Sequence, residues 1–288
     1  MITMGKRRFC KLQLSKVNKI FEELNVGQNG ILSYKGGIEM ILIEHYEKVN
    51  VIKLNRDVTN ALNSTMIDKL SKSLQKLKDD HNVHGIVLTS SNEKFFAIGF
   101  DIPELFELTR EDFHQFYHSF NQLCLDLYTF PKPTIAAITG HAIAGGCILA
   151  LCCDYRFIAE GRKLMGLNEI KLGVPVPYPA DCILQHLVGT RIARDVIDYG
   201  EFFEPEKLIQ MGLVDKILPQ DQLLTQAIEE AKVLGSFSHQ AFSMIKQNRV
   251  EMVEAQVLKN LDEKERYFVE CWYADETREK LKQAMKKF

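Results

Sequence analysis

The sequence predicts an α/β fold, and three observations carry that expectation. Short apolar runs rich in β-branched residues (Val49 to Leu54, Gly85 to Ser90, Thr134 to Thr139, Tyr155 to Ala159) recur along the chain and read as buried strands. Between them lie segments with apolar residues at helical spacing, such as Met66, Ile67, Leu70, Leu74 and Leu77. Finally, the stretch Gly140 to Asp154, GHAIAGGCILALCCD, joins two of the strands through a glycine turn and a helix, about Gly145 to Cys153, with no polar face. That order is a βαβ unit, and a helix apolar on every side is a buried one.

Length and composition are compatible with this. The chain has 288 residues, of which 46% are hydrophobic and 26% charged, an ordinary globular balance. One α/β core with appended helices fits the length as well as two domains do. A net charge of -2 gives no reason to expect nucleic acid or an anionic membrane as partner. Of seven cysteines (Cys10, Cys124, Cys147, Cys152, Cys153, Cys182, Cys271) none forms a C-x-x-C pair, and three sit in the apolar helix. We read a reducing, cytoplasmic setting without disulfides, zinc or any other metal. Lys6, Arg7 and Arg8 are not followed by a signal-type apolar core, although residues 6–19 are basic and acid-free, which leaves a matrix-type targeting segment open. The longest uncharged apolar run, Ala142 to Cys153, is too short to span a bilayer.

Taken in order, residues 1–36 form an N-terminal extension with an amphipathic helix expected from Cys10 to Leu24. A core follows over residues 37–219. It opens with paired strands, Ile38 to His45 and Val49 to Leu54. Asn63 or Ser64 caps a helix reaching Asp80, whose lysines (Lys69, Lys72, Lys76, Lys78) read as a solvated face. After the strand at Gly85 comes Lys94 to Ile102, KFFAIGFDI, an apolar turn punctuated by Gly99. Asp101, with Pro103 and Glu104 behind it, has the spacing of a helix start. Thr109 caps the next helix, with Phe113, Phe116, Phe120, Leu123 and Leu127 as its stripe, and Pro131 and Pro133 end it. Beyond the central unit, Leu164 to Leu172 carries one acid, Glu169, and Gly173 to Pro179 holds three prolines and reads as a stiff loop. Two helices closed by Gly189 and Gly200 follow, then Pro205 to Met211 closed by Gly212, and a strand from Val214 to Leu218. Residues 220–288 are helical in pattern and suit a subunit interface.

Standard phosphate, dinucleotide, zinc-protease and nucleophile-elbow motifs are missing from the sequence. What it offers instead is Gly145 and Gly146 in the first turn of the buried helix, where unshielded N–H groups suit a developing negative charge. Taken alone, these glycines read as devices for a tight turn and close packing. His141, in the same turn, reads as structural. Glu169 is either a surface or cap residue or, given Leu167, Ile170 and Leu172 beside it, an enclosed carboxylate with a raised pKa.

Several stretches together resemble the crotonase, or enoyl-CoA hydratase/isomerase, superfamily. They are Asn60-Ala61-Leu62, FFAIGFDI from Phe95, KPTIAAITGHAIAGGCILALCCD from Lys132, MGLNEIKLG from Met165, GLVDKILP from Gly212, and the helical C-terminus. The resemblance covers roughly residues 38–288. It implies a spiral of ββα repeats with a C-terminal helical trimerisation region, hence a homotrimer or a dimer of trimers. It also implies a coenzyme A thioester as substrate with no separate cofactor, bound by Ala61, Ala97, Gly99, Asp101, Ile102, Ile148 and Leu172. Carried over residue by residue, the N–H groups of Phe100 and Gly145 become an oxyanion hole and Glu169 the acid–base, which reverses the packing-only reading of Gly145.

The family's hydratases use a second glutamate, and its place here is taken by Ile148, which cannot move protons. Hydration needs two acid–base groups, whereas moving a double bond from β,γ to α,β needs one. This pattern resembles the single-glutamate Δ3,Δ2-enoyl-CoA isomerases, which also share GLNE followed by LG. An isomerase is therefore the expected activity. The alternatives are a hydratase or other enolate chemistry in the same fold, and a non-catalytic acyl-CoA-binding subunit.

Overall fold

The structure, a computed structural model, describes residues 39–286. The extension over residues 1–36, with its expected helix, lies outside the described residues, as does the first residue of the strand expected from Ile38.

Two sheets are wound from a repeating strand pair. The first is six-stranded, in the order β1 (Ile41–Tyr46), β2 (Val49–Leu54), β3 (Gly85–Ser90), β5 (Thr134–Ile138), β7 (Tyr155–Ala159) and β10 (Lys216–Leu218). Only β1 runs antiparallel to its neighbour. The second is four-stranded, in the order β4 (Phe95–Ala97), β6 (His141–Ile143), β8 (Met165–Gly166) and β9 (Phe202–Phe203). After β3, β5 and β7 the chain crosses at once to the small sheet as β4, β6 and β8, then returns through helices, so each turn of the spiral adds one strand to each sheet. The small-sheet strands correct the expectation at two places. Lys94 to Ile102 is strand as well as turn, and His141 to Ile143 is a strand where a simple glycine turn was expected. A run of two or three residues is too short for a period to be read.

Strand alternation gives the large sheet two buried faces. Ile52, Leu54, Ile86, Leu88, Ala136, Ile138 and Ile158 join the main core. Val49, Val51, Val87, Ile135, Ala137 and Phe157 form a second layer against Leu223, Ala227, Ile228 and Ala231. Helices α1 (Ser64–Asp79), α2 (Ile102–Phe106), α3 (Arg110–Tyr128) and α4 (Gly145–Leu151) begin where the sequence reading placed them. Asn63 Oδ1 accepts the Met66 N–H at 3.0 Å, and Thr109 Oγ1 accepts that of Asp112 at 3.1 Å. The five apolar residues of the α3 stripe are all buried. Helix α4 stops at Leu151, two residues before the expected end.

Next come a single turn, α5 (Glu169–Leu172), and α6 (Tyr178–Tyr199), which Gly189 breaks at φ 76° into the two expected helices. Helix α7 (Pro205–Gln210) leads to β10. The chain ends in α8 (Gln220–Gly235), α9 (His239–Tyr273) and α10 (Asp275–Met285). Helix α8 supplies the second layer of the large sheet, so the chain after residue 219 is packed into the core from its first helix. Helix α9 is tied to the sheet by an enclosed ion pair, Lys246 Nζ to Asp154 Oδ2 at 2.7 Å, and its aromatic end stacks on α3. There, Tyr117 and Phe268 have ring centroids 3.9 Å apart, and Phe113 and Trp272 4.3 Å apart.

Candidate active site

The site forms where the turn after β4 meets the turn after β6. Gly99 has φ 94°, a conformation open to glycine, and a Cβ on it would lie 2.9 Å from the Gly145 nitrogen. A Cβ on Gly145 would lie 3.1 Å from Gly99 Cα, and one on Gly146 only 2.1 Å from the Ala97 carbonyl oxygen. The two backbones are therefore in contact, which only glycine permits. Ala144, between them, is held at φ 48° and ψ -118°. A non-glycine residue there carries strain of order 1–3 kcal/mol, kept in place by its surroundings.

Backbone hydrogen bonds pass over two N–H groups in these turns. Leu62 N–H donates to the Gly99 carbonyl at 2.7 Å and Asp101 N–H to the Leu62 carbonyl at 2.9 Å, so Phe100 is skipped. Ala144 N–H donates to the Gly166 carbonyl at 2.9 Å, leaving Gly145 as the first residue of α4. Among the described residues, neither the Phe100 nor the Gly145 N–H makes a hydrogen bond.

A partly enclosed cleft lies beside these turns. Of the residues named for the site from the sequence, Phe100, Ile102, Gly145, Ile148, Glu169 and Leu172 line it. Four other expected contacts do not. Ala61 is buried with its carbonyl accepting from Arg56 Nη1 at 2.5 Å, and Ala97 is backbone packing for Gly146. Gly99 shapes the turn. Asp101 is occupied as the cap of α2, accepting the Glu104 N–H at 3.1 Å, and pairs with Arg56 at 2.5 Å. The capping-box spacing had already announced that role.

The rest of the cleft wall is almost wholly apolar and includes Phe268, Trp272 and Ala284 from α9 and α10. Nothing local marks those residues, since they reach the cleft only through the fold. His141, at one end, accepts the Leu164 N–H on Nδ1 at 2.9 Å, in keeping with a structural histidine.

Glu169 is the one carboxylate among the described residues lining the cleft. It is 6% exposed, and its Oε2 has no partner. Burial pushes its carboxyl up to about 7, against the pull of the backbone N–H groups of Glu169 and Asn168. The enclosed-carboxylate reading thus replaces the surface one. Asp181, the nearest other acid in sequence after the Gly173 loop, faces Gln185 at 2.7 Å and stays outside the cleft. Among the described residues no group of three or more His, Cys, Asp or Glu is placed to hold a metal ion, and no helix is long and apolar enough to cross a membrane.

The sequence profile of the family described as enoyl-CoA hydratase/isomerase matches residues 44–288. The chain belongs to this family. Its relatives in the family carry both names. Mitochondrial enoyl-CoA delta isomerase 1 of Mus musculus is 34% identical over 180 residues, a stretch spanning 62% of this chain and 62% of that protein's length. The probable enoyl-CoA hydratase echA8 of Mycobacterium bovis is 36% identical over 210 residues, covering 73% of this chain and 80% of that protein. Among solved structures, human mitochondrial delta3-delta2-enoyl-CoA isomerase superposes with a TM-score of 0.83 at 27% identity, covering 86% of this chain and 98% of that one. The family's crotonase fold is therefore the fold of this chain.

Proposed function

We propose that this protein is a Δ3,Δ2-enoyl-CoA isomerase working through one acid–base residue, Glu169. The observation that carries the reading is Glu169, the one carboxylate of the described residues that lines the cleft, poised near neutrality beside two unbonded backbone N–H groups, with Ile148 where a second acid would stand. In this reading the acyl chain fills the cleft, coenzyme A runs beyond it along Ala61 and the Ala97 to Ile102 turn, and the thioester oxygen sits between the N–H groups of Phe100 and Gly145. The Glu169 carboxylate removes a proton from C2 of the 3-enoyl chain. The electron pair moves onto the thioester oxygen, giving a dienolate that both N–H groups stabilise, each by on the order of 2.7–4 kcal/mol. The same proton returns from Glu169 to C4, the double bond settles between C2 and C3, and Glu169 is again ionised. No redox step or separate cofactor enters. The isomerase names among the relatives support this choice, while the hydratase names keep hydration as the second reading.

The test is a panel of 3-enoyl, 2-enoyl and 3-hydroxyacyl thioesters of coenzyme A, with double-bond migration and water addition followed separately. Migration without hydration supports the reading. Inertness toward the whole panel with retained coenzyme A binding points to a binding subunit. Ile148→Glu should then add a trace of hydration on 2-enoyl-CoA, because the new carboxylate lies one helical turn past Gly145 and can hold a water. Its cost is a buried acid in an apolar helix. A stable, folded Ile148→Glu protein with no hydration above background would count against the assigned place of the missing acid.

We further propose a trimer, or a pair of trimers, assembled through the C-terminal helices. Met244, Ile245, Met252 and Leu258 of α9 are exposed apolar residues without a partner in the single chain. A cytoplasmic, reducing location is in keeping with the five buried thiols Cys124, Cys147, Cys152, Cys153 and Cys182.

A further inference from the structure

Helix α5 is a single turn, too short to hold itself, yet it carries the proposed base. Its C-cap, Gly173, adopts φ 89° and turns its carbonyl toward α10, where Thr277 Oγ1 donates to it at 3.0 Å. The approach is close: a Cβ on Gly173 would lie 2.7 Å from that same Oγ1. Thr277 is 3% exposed and does not line the cleft. The next residue, Arg278, reaches the other half of the site. Its Nη2 donates to the Phe106 carbonyl at 2.8 Å, and its guanidinium lies 3.3 Å from the centroid of the Phe106 ring. Phe106 ends α2, the helix that Asp101 caps directly after the Phe100 turn.

We propose that Thr277 is a positioning residue for Glu169, and that with Arg278 it makes α10 a clamp setting the distance between the base and the oxyanion donors. The proposal rests on the isomerase reading above. Loss of the Thr277 hydrogen bond frees the C-cap of α5, and the carboxylate drifts from the position in which C2 meets it. A misplacement of about 1 Å can cost on the order of a hundredfold in rate. The same release admits water around Glu169. No charged side chain needs to move for this. The titratable neighbours on α3 and α4, Tyr117 and Cys147, are themselves held protonated by burial. On the solvent side, Lys171 is paired with Glu201 and Lys280 with Glu276.

The experiment compares Thr277→Val, which keeps shape and loses the donor, with Thr277→Ser, which keeps the donor. Each is assayed below its own melting temperature with a 3-enoyl-CoA. For Thr277→Val, kcat is expected to fall about tenfold or more with KM within about twofold. The midpoint of the kcat/KM pH profile should move from near 7 toward the ordinary carboxylate range. Thr277→Ser should keep both values near wild type. Wild-type kcat and midpoint in Thr277→Val would overturn the proposal. So would a loss of rate that merely follows the folded fraction with the midpoint unmoved, or a serine variant as impaired as the valine one. If Thr277→Val does not fold, the serine variant and Thr277→Ala carry the same comparison. Wild-type protein that moves no double bond would instead sink the isomerase reading, a failure visible before any variant is made.

Discussion

Replacing Glu169 with glutamine is expected to reduce isomerisation by at least about a thousandfold, near the upper end of what removal of one acid–base group costs. The amide keeps the shape of the side chain and cannot accept the C2 proton. The loss should therefore fall on kcat, with KM nearly unchanged, and exchange of the C2 proton with solvent should vanish together with isomerisation. The same substitution has an opposite effect on stability. Burial raises the Glu169 pKa from 4.5 to about 7, so the folded state binds this proton more tightly than the unfolded chain does. Stability is then undiminished below about pH 4.5, declines as the pH rises toward 7, and stays low above it. The full penalty corresponds to about 3 kcal/mol. Glu169→Gln escapes it, less the about 1–3 kcal/mol that an unpartnered buried amide costs at every pH, so a net gain of up to about 2 kcal/mol is expected at pH 8. At pH 5, where the penalty is under about 1 kcal/mol, the gain should vanish or reverse. Denaturant unfolding of both proteins at the two pH values measures this, and a stability difference that is the same at pH 5 and pH 8 would mean that the carboxylate is not enclosed.

The second large effect is expected at Gly99. An alanine there must hold φ near 94° and place its Cβ 2.9 Å from both the Gly145 nitrogen and the Ala144 Cβ. The two turns must separate, and the pair of N–H groups loses its common focus. Losing one such donor costs about 10²–10³-fold in rate, so Gly99→Ala should lower kcat/KM by at least that factor. The strained backbone should also cost about 1–3 kcal/mol of stability. Steady-state kinetics well below the melting temperature separates the two. Activity within fivefold of wild type would remove these turns from the mechanism.

Much of this arrangement is legible in the sequence. Asn63 and Thr109 cap the helices they were expected to cap, because a capping side chain acts within three residues. The α3 stripe repeats often enough for its buried face to be read from spacing alone. Gly99 and Gly145 stood out as punctuation in apolar runs, and their meaning became specific only through the resemblance of the ordered set of motifs. What could not be read was anything decided by long-range approach. Phe268, Trp272 and Ala284 carry no sign of a cleft position in the sequence, and they reach the cleft because α9 and α10 fold back over it. Arg56 is an ordinary loop residue in the sequence, and only the fold sets Asp101 opposite it. The strain at Ala144 has no local signal either, since alanine ordinarily avoids positive φ.

The central claim, one enclosed carboxylate acting alone, is tested most directly by the pH dependence of kcat/KM for a 3-enoyl-CoA. Glu169 must be ionised to take the C2 proton, so the rate should rise with unit slope below a midpoint near 7 and stay level above it until the protein itself fails. A bell-shaped profile would require a second, protonated acid in the reaction, and a midpoint in the ordinary carboxylate range would place the base in water. Either result would contradict the account.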